Sequence, residues 1–321
     1  MIVAGIDEAG YGPLLGPLVV GGAAFEVEAV DATAPCLWTT LGKCVSRGRS
    51  RAGIKIHVND SKLVYSTSVG LKELERSVLA LAGACHGWSA SLDELIGRVA
   101  PDARTDLSHQ RWYGPTSDEK FPFEQEAVSV RLFCNGLRAE MDRTRCGLVY
   151  LSASVLPEKR LNQILQATRN KASALFSTAS IHIDRLIRRY ADRDLVIFCD
   201  RQGGRSHYGS LLRLMFEDWA LEVTSETEGR SEYVLTQDAR RARLIFTEKA
   251  ESQCMSVAVA SMLCKYLRET LMRRFNGWWH LHQPGLVPTA GYYTDGMRFL
   301  TDVVETRKTL GVTDDELIRS R

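Results

Sequence analysis

The sequence lacks the signatures of several protein classes. Its eight cysteines include no C-x-x-C pair and no zinc-ligand spacing, which argues against a structural zinc site or a disulfide framework. No apolar run approaches the roughly 18 residues of a transmembrane helix, and acids by position 7 disfavour a signal peptide. We therefore predict a cytoplasmic protein without a membrane partner, with reduced thiols. Those in apolar runs are Cys134, Cys199, Cys254 and Cys264.

The chain also lacks a strong net charge, repeats and low-complexity tracts. With 41 basic and 39 acidic residues, its formal net charge is +2. Such a protein has no global field that attracts nucleic acid, so any such contact would come from a local basic patch. Three arginine clusters are candidates, although each is also typical of a solvated helix face. They are Arg185, Arg188, Arg189 and Arg193; Arg240, Arg241 and Arg243; and Arg268, Arg273 and Arg274.

Two adjacent acids, Asp7 and Glu8, stand at the end of the apolar run 1–6. The glycine-rich stretch 10–12 follows and is unsuited to continue a strand. Carboxylates at the point where a buried strand meets a tight turn are typical of sites that hold divalent cations through oxygen ligands. Taken alone, the same residues are equally compatible with an acidic turn in solvent.

Further acids lie at the ends of other predicted elements. The strand-like run 195–199 ends in Asp200, and Glu251 directly precedes a predicted apolar helix of small residues. Successive side chains on a strand point to opposite faces, so Asp7 and Glu8 cannot both face one cation from regular β geometry. We therefore predict Asp7 as the central ligand.

Six segments occur along the chain in a specific order. They are GIDEAGYGP (5–13) with GPLVV (16–20), NDSKL (59–63), LNQILQAT (161–168), FCD (198–200), KAE (249–251) leading into SVAVASMLCK (256–265), and GYYT (291–294). Each segment alone would be weak, but six in order are hard to obtain by chance. Together they resemble the type 2 ribonucleases H, the ribonuclease HII family.

The resemblance implies an α/β protein with an RNase H-like fold, in which a mixed central sheet is flanked by helices. It also implies that four carboxylates hold two Mg²⁺ or Mn²⁺ ions and that the ribonucleotide-containing strand of a duplex is hydrolysed. Mg²⁺ keeps several waters, so carboxylates and a substrate phosphate suffice as ligands. The four carboxylates are those of Asp7, Glu8, Asp200 and Glu251.

The resemblance further assigns residues to substrate binding. The glycine loop is expected to contact the ribose 2′-hydroxyl mainly through backbone groups, and Tyr292 to stack on the sugar after the scissile step. Lys62 is expected to contact a phosphate. The full set is Gly10, Tyr11, Gly12, Ser61, Lys62 and Tyr292.

Two weaker candidates complete the predicted site. Lys249 precedes the fourth acid and is a further possible phosphate contact. His207, in the glycine-containing loop 202–208, is placed to assist proton transfer to the leaving oxygen. A loop histidine in solvent is an equal alternative for His207, as a solvated surface residue is for a lone lysine.

The chain departs from the family pattern at two positions. The fourth acid of the family is usually Asp, whereas this chain has Glu251, whose extra methylene shifts a ligand by roughly an ångström unless the helix start is displaced. The family loop usually reads Gly-Arg-Gly, whereas this chain has Tyr11 at the centre. The loop therefore loses a cation near a phosphate and gains an aromatic face.

We predict one core with additions. The RNase H-like core comprises 1–86 and 146–275, an inserted lobe with a small satellite core comprises 87–145, and a C-terminal helical extension comprises 276–321. Within the core, we predict two strands in 1–30, strands at 147–155 and 195–199, helices in 158–190, and a long helix ending near 275.

The leading hypothesis is a metal-dependent ribonuclease H of type 2, acting as a monomer on RNA/DNA hybrids or on duplex DNA with embedded ribonucleotides. Two alternatives stay open. One is a non-catalytic or weakly active hybrid-binding homologue, favoured if Glu251 cannot complete the metal site or if the inserted lobe blocks the substrate groove. The other is a metal-dependent nuclease acting on DNA, favoured if Tyr11 has changed the sugar reader.

Overall fold

A seven-stranded mixed sheet forms the centre of the molecule. The computed structural model describes residues 1–28, 34–50, 53–66, 68–115, 119–202 and 205–320. The strands are β1 (Ile2–Ala9), β2 (Leu18–Glu26), β3 (Val45–Ser46), β4 (Ile56–His57), β5 (Gly147–Leu156), β6 (Leu195–Asp200), β7 (Ala220–Glu226), β8 (Arg230–Gln237) and β9 (Arg240–Thr247). The central sheet has the order β5-β2-β1-β6-β9-β8-β7, and β3 pairs separately with β4.

Helices cover both faces of this sheet. They are α1 (Leu37–Thr40), α2 (Ser61–Val64), α3 (Lys72–His86), α4 (Leu92–Val99), α5 (Ala103–Ser108), α6 (Ala127–Thr144), α7 (Glu158–Thr168), α8 (Lys171–Tyr190), α9 (Gly209–Met215), α10 (Ala250–Gln253), α11 (Met255–His282), α12 (Tyr293–Asp302), α13 (Val304–Leu310) and α14 (Asp314–Leu317). On β1, Ile2 and Ile6 pack in the hydrophobic cluster of α8, whereas Val3 packs in that of α11. The two helices therefore lie on opposite faces, as strand alternation requires.

Gly5 allows α11 to cross β1 at very close range. A Cβ atom at this position would lie 2.1 Å from the backbone nitrogen of Val257. The Ser256 hydroxyl donates a hydrogen bond to the Val3 carbonyl at 2.8 Å, which fixes the crossing point. The missing side chain thus brings the first turn of α11 onto the strand that carries Asp7.

The predicted architecture, a mixed central sheet flanked by helices and followed by C-terminal helices, is confirmed. The strands expected within 1–30, 147–155 and 195–199 and the helices expected in 158–190 are present. The long helix differs in its bounds. It is preceded by the separate turn α10, because Cys254 is extended (φ −127°, ψ 120°), and it continues to His282.

Three strands of the central sheet, β7, β8 and β9, were not predicted, and neither were the two-residue strands β3 and β4. β7 is a largely exposed edge strand, so its residues show little of the apolar alternation that marks a half-buried strand. The interpretation of Arg240, Arg241 and Arg243 as a helix face was wrong, because these residues lie on β9.

Range 87–145 contributes α4, α5 and α6. Its aromatics do not form a separate satellite core, because Trp112 is buried against Phe275 and Trp278 of α11 and belongs to the same hydrophobic cluster. The division into core, lobe and extension stays a prediction, and its boundary at 275 falls inside α11.

All eight cysteines are free, and Cys134, Cys199, Cys254 and Cys264 are buried as expected from their apolar neighbours. Within the described ranges, no helix is both long enough and apolar enough to cross a membrane.

Candidate active site

The parallel strands of the sheet bring Asp7 and Asp200 to one edge. β1 and β6 run parallel with Ile6 paired to Cys199, and Asp7 and Asp200 are the next residues of the two strands. Residues in register on parallel neighbours point to the same face. Both acids therefore lie on the face covered by α11. Asp7 is 9% exposed, and its Oδ1 accepts a hydrogen bond from the Glu8 backbone at 2.8 Å.

Glu8 follows Asp7 on β1, so its side chain starts on the opposite face of the strand and lies at the same end of the sheet. Burial, followed by the charge of Asp200, raises the pKa of Glu8 to about 7. Its Oε2 atom is buried and accepts no hydrogen bond from the described part of the chain. A buried carboxylate oxygen without a donor is unfavourable, so this atom is suited to a ligand from outside the protein.

Glu251 reaches the edge from α10. Lys249 adopts a left-handed conformation (φ +53°) after β9, and the next backbone N–H, that of Ala250, donates to Asp200 Oδ1 at 3.1 Å. This turn holds the start of α10 beside Asp200, and Glu251 lies half-buried in the first turn. Lys249 thus has a backbone role at the site, while its side chain is exposed.

The electrostatics of this edge favour added positive charge. Burial is the largest cause that raises the pKa of each of the four carboxyls, and repulsion from neighbouring acids adds to it. The cation that lowers the pKa of Glu8, Asp200 and Glu251 is Lys62, whose own side chain is exposed. The predicted lysine is therefore brought to the acids.

A further acid, Asp60, lies at the same edge and was missed as a site residue. Its charge raises the pKa of both Asp200 and Glu251. Its Oδ1 accepts a hydrogen bond from the Lys62 backbone at 2.9 Å, which caps α2. The sequence does indicate Asp60, because it lies in the segment 59–63 directly before the predicted residues Ser61 and Lys62.

Ser61 connects α2 to α11 beneath the acids. It is buried, and its hydroxyl accepts a hydrogen bond from the Ser261 hydroxyl at 3.0 Å. Ser261 in turn interacts with the Asp7 carboxyl, which lowers the Asp7 pKa against the effect of burial. Ser61 therefore supports the central acid through one intervening residue.

Divalent cations fit the chemistry of this donor set. The side chains offer carboxylate oxygens, which Mg²⁺ and Mn²⁺ prefer, and Glu8 contributes the unpaired buried oxygen. Among the residues described, no group of three or more His, Cys, Asp or Glu is already arranged at ligand positions.

The glycine loop lies beside the acids. Gly10 has φ +87°, a conformation that favours glycine, whereas Gly12 is exposed and a Cβ atom there would meet nothing within 4 Å. Leu14 N and Leu15 N both donate to the Gly291 carbonyl, at 2.7 and 3.1 Å. The loop is therefore held from behind by the segment that carries Tyr292, and it is open at Gly12.

Tyr11 contacts a cationic side chain. The Lys171 ammonium lies 5.0 Å from the centre of the Tyr11 ring, within the range of a cation–π contact. Lys171 comes from the first turn of α8, a segment with no sequence signal for this role. A cation from α8 thus lies beside the centre of the loop, which itself carries no basic residue.

Of the remaining predicted residues, Tyr292 lies next to the glycine loop, whereas His207 lies away from the acids. Tyr292 is 53% exposed, next to the loop, which leaves its ring available to a ligand. His207 is exposed and contacts Ser206 and Glu226 rather than the acids. Positions 203 and 204 of its predicted glycine-containing loop lie outside the described residues.

The arginine clusters are largely engaged in the fold. Arg268 and Arg274 are 1% and 3% exposed, so they are not part of a surface patch for nucleic acid. Other members pair with acids. These pairs are Arg185 with Asp102, Arg188 with Asp184, Arg193 with Glu26, and Arg243 with Glu232.

No protein-family model matches the sequence, and no curated protein matches it. Solved structures similar over the whole or nearly the whole chain include RNase HII of Archaeoglobus fulgidus in complex with PCNA (13% identity, TM-score 0.43, 100% of this chain and 95% of that one). Ribonuclease H2 from Pyrococcus horikoshii OT3 has 13% identity and a TM-score of 0.39, with 99% and 92% covered.

Bst-RNase HIII in complex with Mn²⁺ has 13% identity and a TM-score of 0.42, with 99% of this chain and 66% of that one covered. At such identities and scores, a functional assignment for this chain depends on the residues of its own site.

Proposed function

We propose that this protein is a divalent-metal-dependent endoribonuclease of the ribonuclease H type 2 kind. It would hydrolyse the ribonucleotide-containing strand of RNA/DNA hybrids or of duplex DNA with embedded ribonucleotides. The observation that carries the proposal is the convergence of Asp7, Glu8, Asp200 and Glu251 at one sheet edge, beside the glycine loop, with one carboxylate oxygen buried and unpaired.

The four carboxylates would hold Mg²⁺ or Mn²⁺ at this edge. When bound, the divalent ions supply activation of the attacking water and charge neutralisation at the phosphodiester. The protein contributes the placement of the ligands. Asp7 is fixed by β1 and by its hydrogen bond from Glu8, and Asp200 is fixed by the Ala250 N–H.

Substrate positioning falls to the exposed groups around the acids. Lys62 would contact a phosphate next to the carboxylates, and Lys171 would supply charge beside Tyr11. The glycine loop would contact the ribose through its backbone, since Gly12 leaves room for close approach. Tyr292 would stack on a sugar, for which its exposed ring is suited.

The proposal is tested by cleavage of three labelled duplexes: all DNA, DNA with a single ribonucleotide, and an RNA/DNA hybrid. Each is incubated with Mg²⁺, Mn²⁺ or EDTA, beside the Asp7→Asn variant. We expect metal-dependent cutting only where ribose is present, and none by the variant. Cutting of the all-DNA duplex would instead identify a DNA nuclease, and full activity of Asp7→Asn would refute the metal assignment.

A second candidate is a hybrid-binding homologue with little or no turnover. It is favoured by one observation, which is that the described acids are not already arranged at ligand positions. The same experiment separates the two functions. Ribose-dependent binding without cleavage in any metal would support the second candidate.

A further inference from the structure

One arginine holds the glycine loop from inside the protein. The Arg319 guanidinium donates to the Gly10 carbonyl at 2.5 Å and to the Tyr11 carbonyl at 3.4 Å. Its backbone N–H also donates to the Leu14 carbonyl at 3.0 Å. Arg319 is 3% exposed, so its side chain serves these interior contacts and is not presented at the surface.

The segment that carries Arg319 is itself anchored to α7. Asn162 donates to the carbonyls of Asp315 and Ile318 at 3.1 and 2.9 Å, and its own side-chain oxygen accepts from the Ser320 N–H at 2.7 Å. Asn162 is 1% exposed. A single buried amide therefore fixes the backbone on both sides of Arg319.

A second buried arginine supports the other half of the loop. Arg268 of α11 donates to the carbonyls of Pro17 and Leu15, at 2.6 and 3.1 Å. Burial, followed by the charge of Arg268, lowers the pKa of Arg319 to about 9. Two guanidinium groups are thus kept close together in the interior, although this is electrostatically unfavourable, and each donates to different carbonyls of the loop.

The contacts of Arg319 with the loop carbonyls also determine the direction of the N–H groups that follow them. In a trans peptide the C=O and the following N–H point in opposite directions. Holding the carbonyls of Gly10 and Tyr11 inward therefore turns the N–H groups of Tyr11 and Gly12 outward. Within the described ranges, neither N–H group donates a hydrogen bond to the protein backbone.

We propose that Arg319 is a positioning residue, which orients the Tyr11 and Gly12 N–H groups toward the ribose of the substrate, and that Asn162 holds Arg319 in place. This inference rests on the proposed function for the identity of the ligand. The orientation of the loop itself does not depend on it, and the two are measured separately.

The first measurement is amide hydrogen exchange of the free protein, with Arg319→Gln and Asn162→Ala beside wild type. We expect exchange of the hydrogen-bonded loop amides of Leu14, Leu15 and Gly16 to rise about tenfold or more in both variants, with β5 unchanged. Arg319→Lys, which retains one charged donor, should give a smaller rise. The matched control is Arg274→Gln, which removes a buried arginine that binds Asp93 and Glu119 instead of the loop.

The second measurement is equilibrium binding, in EDTA, of a duplex with one ribonucleotide and of its all-DNA counterpart. We expect Arg319→Gln and Asn162→Ala to reduce the preference for ribose about tenfold, and Arg274→Gln to retain it. Unchanged loop exchange, or exchange that rises equally in β5, would overturn the inference, as would an unaltered preference. A wild-type protein with neither ribose preference nor cleavage would refute the proposed function, while loop exchange would still decide the role of Arg319.

Discussion

Buried acids occur in two contrasting regions of this protein. Glu75 of α3 is completely buried, and its two carboxylate oxygens accept four hydrogen bonds at 2.6 to 2.9 Å. The donors are the backbone N–H groups of Phe123, Glu124 and Gln125 and the hydroxyl of Tyr266. Glu75 thus connects three parts of the chain, and the protein itself supplies every partner.

The acids at the sheet edge are in a different situation. Glu8 has a buried oxygen without a donor, and Asp7 has a pKa raised by burial and by the charges of Glu8 and Asp200. A buried charge that the protein does not satisfy destabilises the fold unless something else pairs with it. The comparison indicates that Glu75 stabilises the fold, whereas the acids at the sheet edge are incompletely paired within the protein and are suited to bind a ligand.

The largest expected effect is on activity, in Asp7→Asn. Loss of this carboxylate should lower kcat/KM for the ribonucleotide-containing duplex by at least about 10³-fold, equivalent to about 4 kcal/mol. The free energy of unfolding without metal should stay the same or rise, because a buried acid that is repelled by Glu8 and Asp200 is removed. Cleavage kinetics and urea unfolding check the two parts, and strong destabilisation by Asp7→Asn would contradict the distinction between the regions.

Glu75→Gln is the opposite case. The amide replaces one acceptor oxygen by a donor, so two of the four donors lose their acceptor inside the protein, because each oxygen accepts two of the hydrogen bonds. We expect destabilisation by roughly 3–5 kcal/mol, measured by urea unfolding, with cleavage retained in the folded fraction. A stability change below about 1 kcal/mol would show that Glu75 does not stabilise the fold in this way.

Glu158 sharpens the comparison because it has features of both regions. It accepts hydrogen bonds from Tyr113 and Gly16, yet burial raises its pKa from 4.5 to about 7. The folded state therefore binds the proton more tightly than the unfolded state. Its contribution to stability is complete below pH 4.5 and is lost as the pH rises through 7.

Wild type should accordingly lose up to roughly 3 kcal/mol relative to Glu158→Gln between pH 4.5 and pH 8. Unfolding free energies of both proteins over this range give the difference, which removes the contribution of other titrating groups. A difference independent of pH would show that the carboxyl of Glu158 ionises normally.

The smallest expected effect is that of Gly12→Ala. A Cβ atom there meets no protein atom within 4 Å, so stability should change by less than about 1 kcal/mol. Cleavage of the ribonucleotide-containing duplex should fall about tenfold, because the methyl group occupies space reserved for the substrate. The control is Gly277→Ala, at a position that is equally open but lies on α11. Equal activity of the two variants would place the substrate elsewhere.

Much of the fold was predictable because the central elements carry strong local signals. β1 and β6 are short apolar runs that end in acids, and α8 has continuous helical periodicity. β7 carries mostly exposed residues, so its place in the sheet is determined by its pairing with β8. The sequence of β7 alone shows no pattern that would predict this pairing.

The candidate site likewise contains residues with a local sequence signal and residues without one. Asp7, Glu8, Asp200 and Glu251 were predicted because each lies at the end of an element or beside a recognisable motif. Lys171, Asn162 and Arg319 were not, because only tertiary packing brings them to the loop. Arg319 and Gly10, for example, are 309 residues apart in the chain.

The most direct test of the account is thermal unfolding with increasing Mn²⁺ for wild type, Asp7→Asn and a Lys171→Gln control that keeps all four acids. A cation bound only by the folded state stabilises it by about 2.7 kcal/mol at 100 times its Kd. We predict a saturable rise in Tm for wild type and for the control, and little or none for Asp7→Asn. The same rise in all three proteins, or none in wild type, would contradict the assignment of the sheet-edge acids as a metal site.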